Sequence, residues 1–247
     1  MLKLLFHTGR YFMLMKQAFS VPEKWSIFRK RLFEELDNLG WGSVGIVALV
    51  SIFMGAVITI QIAYSFTSPW IPLYAVGLAT RDTTILELAP TIISIILAGK
   101  VGSNIASEIG TMRVTDQIDA LEIMGVNPAT HLILPKIVAS VIINPFIILM
   151  SMFLSIFGGW LFGILAGVVT SYEYVYGIQF AFTPYYVQYA LEKTVVFAFV
   201  ISSVSAYQGY FTEGGALEVG ISSTRAVVWS IVLVLLTNFI LTQLLLV

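Results

Sequence analysis

Apolar residues fall into long runs separated by short polar stretches, and this pattern predicts five membrane-crossing helices. From Asn38 to Thr80 no residue is charged. Residues 41–64 supply the first span, since about 20 apolar residues cross a hydrocarbon core. Ser68-Pro69-Trp70-Ile71-Pro72 then breaks the helix, with Trp70 and Tyr74 suited to a membrane interface. A second span is expected at about 85–111, less pure because it holds Glu87, Lys100 and Glu108. The third covers about 136–157, the fourth about 186–210 with Glu192 and Lys193 in its outer half, and the fifth 226–247. Residues 158–185, rich in Gly and Tyr, read as an outer loop that partly re-enters the membrane or lies on it.

The first 39 residues are amphipathic rather than spanning. Ser20-Val21-Pro22-Glu23 has the form of a capping box with Pro in the first turn. After it, Trp25, Phe28, Leu32, Leu36 and Leu39 recur on one helical face, while Lys24, Lys30, Arg31, Glu34, Glu35 and Asn38 lie mostly elsewhere. Such a helix lies along a membrane surface; the alternative is a soluble arm packed on another subunit. Lys3, His7, Arg10 and Lys16 interrupt the amino-terminal apolar residues, so a cleaved secretory signal is not expected. The expected fold is all-α: amphipathic interfacial helices over 1–39, then a five-helix transmembrane bundle over 40–247.

Composition makes lipid the solvent. Apolar residues are 58% and charged residues 11% of the chain, against about a quarter charged in soluble domains. The net charge of −1 gives no nucleic-acid signature, and the absence of Cys excludes disulfides and thiolate sites. His7 and His131 are too few for a histidine-built metal site. Seven of the 13 basic residues precede Asn38. With the amino terminus cytoplasmic, Arg113, Lys136 and Arg225 join them inside, Arg81 alone falls outside, and Lys100 and Lys193 lie within spans. This bias orients the chain, with the carboxyl terminus outside.

Two groups of residues could carry chemistry. In the polar stretch from Thr111 to Pro128, Thr115 can cap a short helix whose Asp116 favours the positive dipole end. Val114, Ile118 and Leu121 share one face; Arg113, Asp116, Gln117, Asp119 and Glu122 cover the remainder; Gly125 and Asn127-Pro128 stop the helix just after Met124. It is either a surface connector or a charged knob that docks in a soluble partner's groove. The second group lies inside the membrane. Lys100, Asn104 and Glu108 share a stripe of span two, with Lys193 or Glu192 as countercharge. A charge near the bilayer centre costs about 2.5–3.5 kcal/mol, so these groups form structural ion pairs or line a path for an amphiphile with a charged head group. Gln61, Gln208 and Asn238 are further intramembrane polar groups, commonly helix–helix glue. No phosphate-binding Gly-x-x-x-x-Gly-Lys-[Ser/Thr] loop, Gly-x-Ser-x-Gly elbow or His-Glu-x-x-His occurs.

Residues 86–90 (Leu-Glu-Leu-Ala-Pro), 98–103 (Ala-Gly-Lys-Val-Gly-Ser) and the run 108–128 resemble the MlaE/YrbE permease family, as do Tyr207-Gln208-Gly209, Gly214-Gly215, Val219-Gly220 and the Thr224–Val227 segment. The resemblance covers about 40–247 and is densest over 85–136. It implies a homodimeric ABC-type permease in a bacterial inner membrane, with no cofactor on this chain. ATP and Mg would belong to a separate cytoplasmic ABC ATPase, and an MCE-domain protein would handle phospholipid on the periplasmic side. It assigns the ATPase-coupling helix to Arg113–Met124 and the intramembrane charges to Lys100, Glu108 and Lys193. Asn238 departs from the acid of many relatives, and Lys100 stands where Arg is common, losing the planar fork. The alternatives are an ion- or proton-coupled secondary transporter using Glu108 and Lys193, and a membrane scaffold without transport.

Overall fold

Eight helices account for most of the described residues of the computed structural model, 2–21, 24–66 and 70–246, and no strand occurs among them. In chain order they are α1 (Leu2–Ala18), α2 (Trp25–Ser65), α3 (Tyr74–Val114), α4 (Gln117–Ile123), α5 (Ala129–Leu165), α6 (Ser171–Gln179), α7 (Tyr185–Tyr210) and α8 (Ala216–Leu246). Helices α2, α3, α5, α7 and α8 are each long and apolar enough to cross a membrane. The expected five-span bundle is therefore present. Part of the Ser20–Glu23 capping box and the Ser68-Pro69 break lie outside the described residues.

Most spans run past the apolar runs that predicted them. Helix α2 carries the amphipathic stripe and the first span without interruption, and α3 begins at Tyr74 rather than near Ile85. In lipid every backbone amide must bond within its own helix, and continuing the helix through the interface costs little. The expected outer loop 158–185 is largely helical: α5 continues to Leu165 and α6 follows at Ser171.

Packing depends on small residues. Helices α2 and α5 approach so closely that a Cβ on Gly55 would collide with the Ser155 carbonyl, and one on Gly158 with the Ile52 carbonyl. Such contacts are how helices gain van der Waals energy in a solvent as apolar as their own side chains. Helix α7 is the most enclosed span, burying Tyr189, Lys193, Phe197, Ile201 and the run from Ser202 to Tyr207. Helix α8 buries only the stripe Val219, Ser222, Ala226, Ser230 and Val234, leaving its other faces uncovered.

The two ends of the bundle are built differently. At the end bearing α4, α1 packs beside α7: His7 Nδ1 lies 2.8 Å from Tyr207 Oη, and Tyr11 donates to Ser203 at 2.8 Å. Thr130 and Asn127 both donate to the Gln17 carbonyl at the end of α1. At the opposite end α6 packs on the first turns of α3. Arg81, 2% exposed, bonds Asp82 and donates to the carbonyls of Ile178 and Phe180 at 2.7 and 2.8 Å. Tyr174 reaches from α6 to the Ile156 carbonyl at 3.2 Å, and burial pushes its hydroxyl up to about 12, so it stays protonated as a donor.

Candidate functional site

Helix α3 carries Glu87, Lys100, Asn104 and Glu108, and it is irregular at the first two. Two stretches, Thr84–Ile92 and Ala98–Gly102, wind as wide turns with i→i+5 bonding, separated by one regular stretch. Pro90 accounts for the first, because it has no N–H to return to the Leu86 carbonyl. Lys193 Nζ approaches that carbonyl from α7 at 3.4 Å. Wide turns of this kind recur at functional sites.

The first wide turn carries Glu87, and around it a polar cluster closes. Lys193 Nζ, on a fully buried side chain, lies 2.8 Å from Glu87 Oε1 and donates to Tyr189 at 2.9 Å and to Thr242 at 3.3 Å. Asn238 Nδ2 and Thr91 each donate to Glu87 Oε2 at 3.2 Å. Helices α3, α7 and α8 are thereby tied together by one neutralised pair and its hydrogen bonds. An ammonium this deep requires such partners.

The expected countercharge arrangement does not form. Lys193 pairs with Glu87, not with the Lys100–Glu108 stripe, and Glu192 bonds Gln188 on its own helix. Glu108 instead meets Lys136 at 2.7 Å, and Lys136 also meets Glu35 at 2.5 Å. This second cluster joins α2, α3 and α5 near the α4 end. The two clusters are separated by 21 residues of α3, about 30 Å of helix, so Glu108 and Lys193 form no unit.

Lys100 and Asn104 lie between the clusters and are exposed. Together with Asn38, Leu39, Ser43, Val101, Ser103, Ser107 and Ser223 they line a groove of about 420 Å³ between α2, α3 and α8. Gln61 is exposed on the far part of α2, and Gln208 contributes its backbone carbonyl to Thr212 and Ser222. Of these three amides only Asn238 joins a charged cluster among the described residues.

Helix α4 stands directly below α3. Thr115 does not cap it; its hydroxyl donates back to the Thr111 carbonyl, closing the end of α3. Asp116 makes the corner in the left-handed region at φ 57°, and Gln117 reaches back to Thr115 at 3.0 Å. Arg113 bonds Asp119 at 2.5 Å, and Tyr210 donates to Glu122 at 3.3 Å, fixing α4 against α3 and α7. Ile118 is buried, Leu121 is half-buried, and Ile123 and Met124 are exposed at the tip. Gly125, at φ +77°, ends the helix as its sequence predicts: its N–H bonds the Glu122 carbonyl and the next N–H bonds Leu121. Asn127 then caps α5, accepting from the N–H groups of Ala129 and Thr130.

The profile of the permease MlaE family matches residues 32–244. The chain belongs to that family. MlaE-family relatives include a probable ABC transporter permease of Rickettsia prowazekii, 34% identical over 218 residues that span 88% of this chain and 84% of the relative. A probable ABC transporter permease of Synechocystis is 32% identical over 240 residues, 97% of this chain and 88% of its own. The chloroplastic protein trigalactosyldiacylglycerol 1 of Arabidopsis thaliana is 34% identical over 229 residues, 89% of this chain and 63% of its own. This MlaE-family chain is thus a multi-pass ABC transporter permease, a class that works with an ATPase partner.

The site includes residues that sequence reasoning left out of it. Glu87 and Lys193 were legible as opposite charges within spans, yet nothing in their spacing pairs them. Lys136 reads from sequence as a marker of the inner surface, although it is 3% exposed between two carboxylates. Tyr189, Thr91 and Thr242 gave no signal beyond being polar.

Proposed function

We propose that this permease moves phospholipid across or out of a bacterial inner membrane, driven by a separate ATPase that pushes on α4. The observation that carries the proposal is the construction of α3. One helix holds Glu87, Lys100, Asn104 and Glu108 along its length and turns at Asp116 directly into α4. A push on α4 therefore acts on the element that lines the polar path, and its wide turns are where it yields with least loss of hydrogen bonding.

The cargo reading is supported by polar groups set in apolar walls, a pattern that suits a charged head group with acyl chains. The Arabidopsis relative is itself named for a diacylglycerol lipid. Two copies would enclose a cavity between their spans, using the uncovered faces of α8 and α2. The basic residues of α1, the start of α2, Arg113, Lys136 and Arg225 support a cytoplasmic amino terminus and a periplasmic carboxyl terminus. An MCE-domain carrier then meets the opposite, Arg81-bearing end. ATP and Mg belong to the ATPase.

Docking of the ATPase is tested at the tip of α4. Both Ile123 and Met124 are solvent-exposed, so Ile123→Asp and Met124→Ser should change the chain's own stability by less than about 0.5 kcal/mol. Co-purification of the ATPase should fall by about tenfold or more, because apolar anchors at an interface centre carry most of its energy. Unchanged co-purification with both substitutions combined would sink the docking role.

A further inference from the structure

Three lysines sit in the membrane-crossing helices α3, α5 and α7, and they differ in one respect. Lys136 and Lys193 each have a carboxylate within 2.8 Å. Lys100 has no ion pair and no side-chain hydrogen bond among the described residues. Its ammonium extends over Gly42 of α2, where a Cβ would sit 3.8 Å from Nζ. An unpaired ammonium facing the membrane requires an anion or water.

The surroundings favour an anion that accepts several hydrogen bonds. Asn104 is one turn along the same face, Asn38 lies across the groove on α2, and neither side chain has a partner among the described residues. Ser103 and Ser107 do not compete, since their hydroxyls already bond their own helix. The nearest carboxylate along α3, Glu108, lies two turns beyond Lys100 and bonds Lys136, which it shares with Glu35. Three sets of unused donors therefore converge on a groove of about 420 Å³. From Ser107 to Lys100 the groove runs about 10 Å along α3, from the α4 end toward the membrane interior.

We infer that this groove binds the phosphodiester of a phospholipid drawn from the leaflet on the α4 side. Lys100 supplies the charge, and Asn104 and Asn38 supply hydrogen bonds. The head group descends the polar ramp while the acyl chains point toward the midplane. The inference rests on the proposed phospholipid cargo only in taking a lipid, rather than free phosphate, as the source of the anion. The Glu87–Lys193 cluster is a different place, 13 residues away on α3 and already neutralised.

The test uses the full chain, without ATPase, in phosphatidylcholine vesicles doped with phosphatidylglycerol bearing a photoactivatable group near its phosphate. Labelled peptides are mapped by mass spectrometry. Label is expected on residues 38–43 and 100–107, lowered about tenfold by Lys100→Met and kept within about twofold by Lys100→Arg, as loss of a charge-assisted contact predicts. Should Lys100→Met fail to assemble, Asn104→Leu is read instead, with a several-fold loss expected. Label unaffected by either substitution overturns the inference. Displacement of the label by inorganic phosphate but not by excess unlabelled phosphatidylglycerol makes the site one for the free anion and also overturns it. So does a groove left unlabelled while Lys100→Met weakens association of two copies, which assigns Lys100 to a carboxylate of the second copy. Groove labelling in a chain that shows no ATP-driven transfer leaves the site standing and refutes only the transport reading.

Discussion

Breaking the Glu87–Lys193 pair should be costly in an asymmetric way. Lys193 is fully enclosed, whereas 41% of the Glu87 side chain is exposed. Glu87→Gln leaves the ammonium with the hydroxyls of Tyr189 and Thr242 and the Leu86 carbonyl, and no countercharge. Removing one partner of a buried pair costs about 3–5 kcal/mol. Lys193→Met fills the same space with an apolar chain and leaves Glu87, less enclosed than Lys193, still receiving bonds from Asn238 and Thr91. That change should cost about 1–2 kcal/mol, near the value for one poorly satisfied group. The double variant removes both charges and should cost less than the sum by about 2 kcal/mol, well above the roughly 0.6 kcal/mol of an ordinary interhelical hydrogen bond. Unfolding of the purified chain by sodium dodecyl sulfate in mixed micelles measures all three. A coupling energy near 0.6 kcal/mol, or a Lys193→Met variant less stable than Glu87→Gln, would refute the reasoning.

Other substitutions test the frame around the site. Gly158→Val should destabilise by at least about 3 kcal/mol, at or beyond the top of the usual overpacking range, because its side chain meets backbone of α2 rather than a movable side chain; the same micelle titration reads it. Arg81→Met should expose residues 166–184 to proteolysis and speed their amide exchange, while α2 and α5 keep their protection, since Arg81 ties α6 to α3 through two carbonyls. Gly125→Val should cost about 1–2 kcal/mol through the positive φ and loosen the end of α4, visible as weaker ATPase association than in a Gly125→Asn control.

The number of spans was legible because lipid imposes one rule, long apolar helices, and leaves little else possible. Their ends were not: Pro72 marks the break before Tyr74, yet α3 then runs on through the charged Arg81-Asp82 pair instead of starting beyond it. Helix α6 had a readable signal: Thr170 and Glu173 form the capping pair, with the Glu173 N–H bonded to Thr170 at 3.3 Å. Gly and Tyr around it masked that signal as loop. The polar residues of the path were found as residue types, but their pairing was misassigned. Helical spacing reports neighbours on one helix and says nothing of which helix faces it. Lys136 bridging Glu35 and Glu108 joins residues 101 and 28 positions apart, beyond any local pattern. Thr115 reads as a cap because Thr-Asp before a helical run favours it, yet α3 continues to Val114 and uses that hydroxyl for its own end.

The central claim is that ATP hydrolysis by a partner drives phospholipid through this permease by way of α4. Reconstituting the chain with its ATPase and following labelled phospholipid in both directions tests it most directly. The account predicts transfer in one favoured direction that requires hydrolysable ATP and is lost in the Ile123→Asp, Met124→Ser variant. Transfer equal in both directions and indifferent to ATP, or an ion flux with no lipid movement, would contradict it.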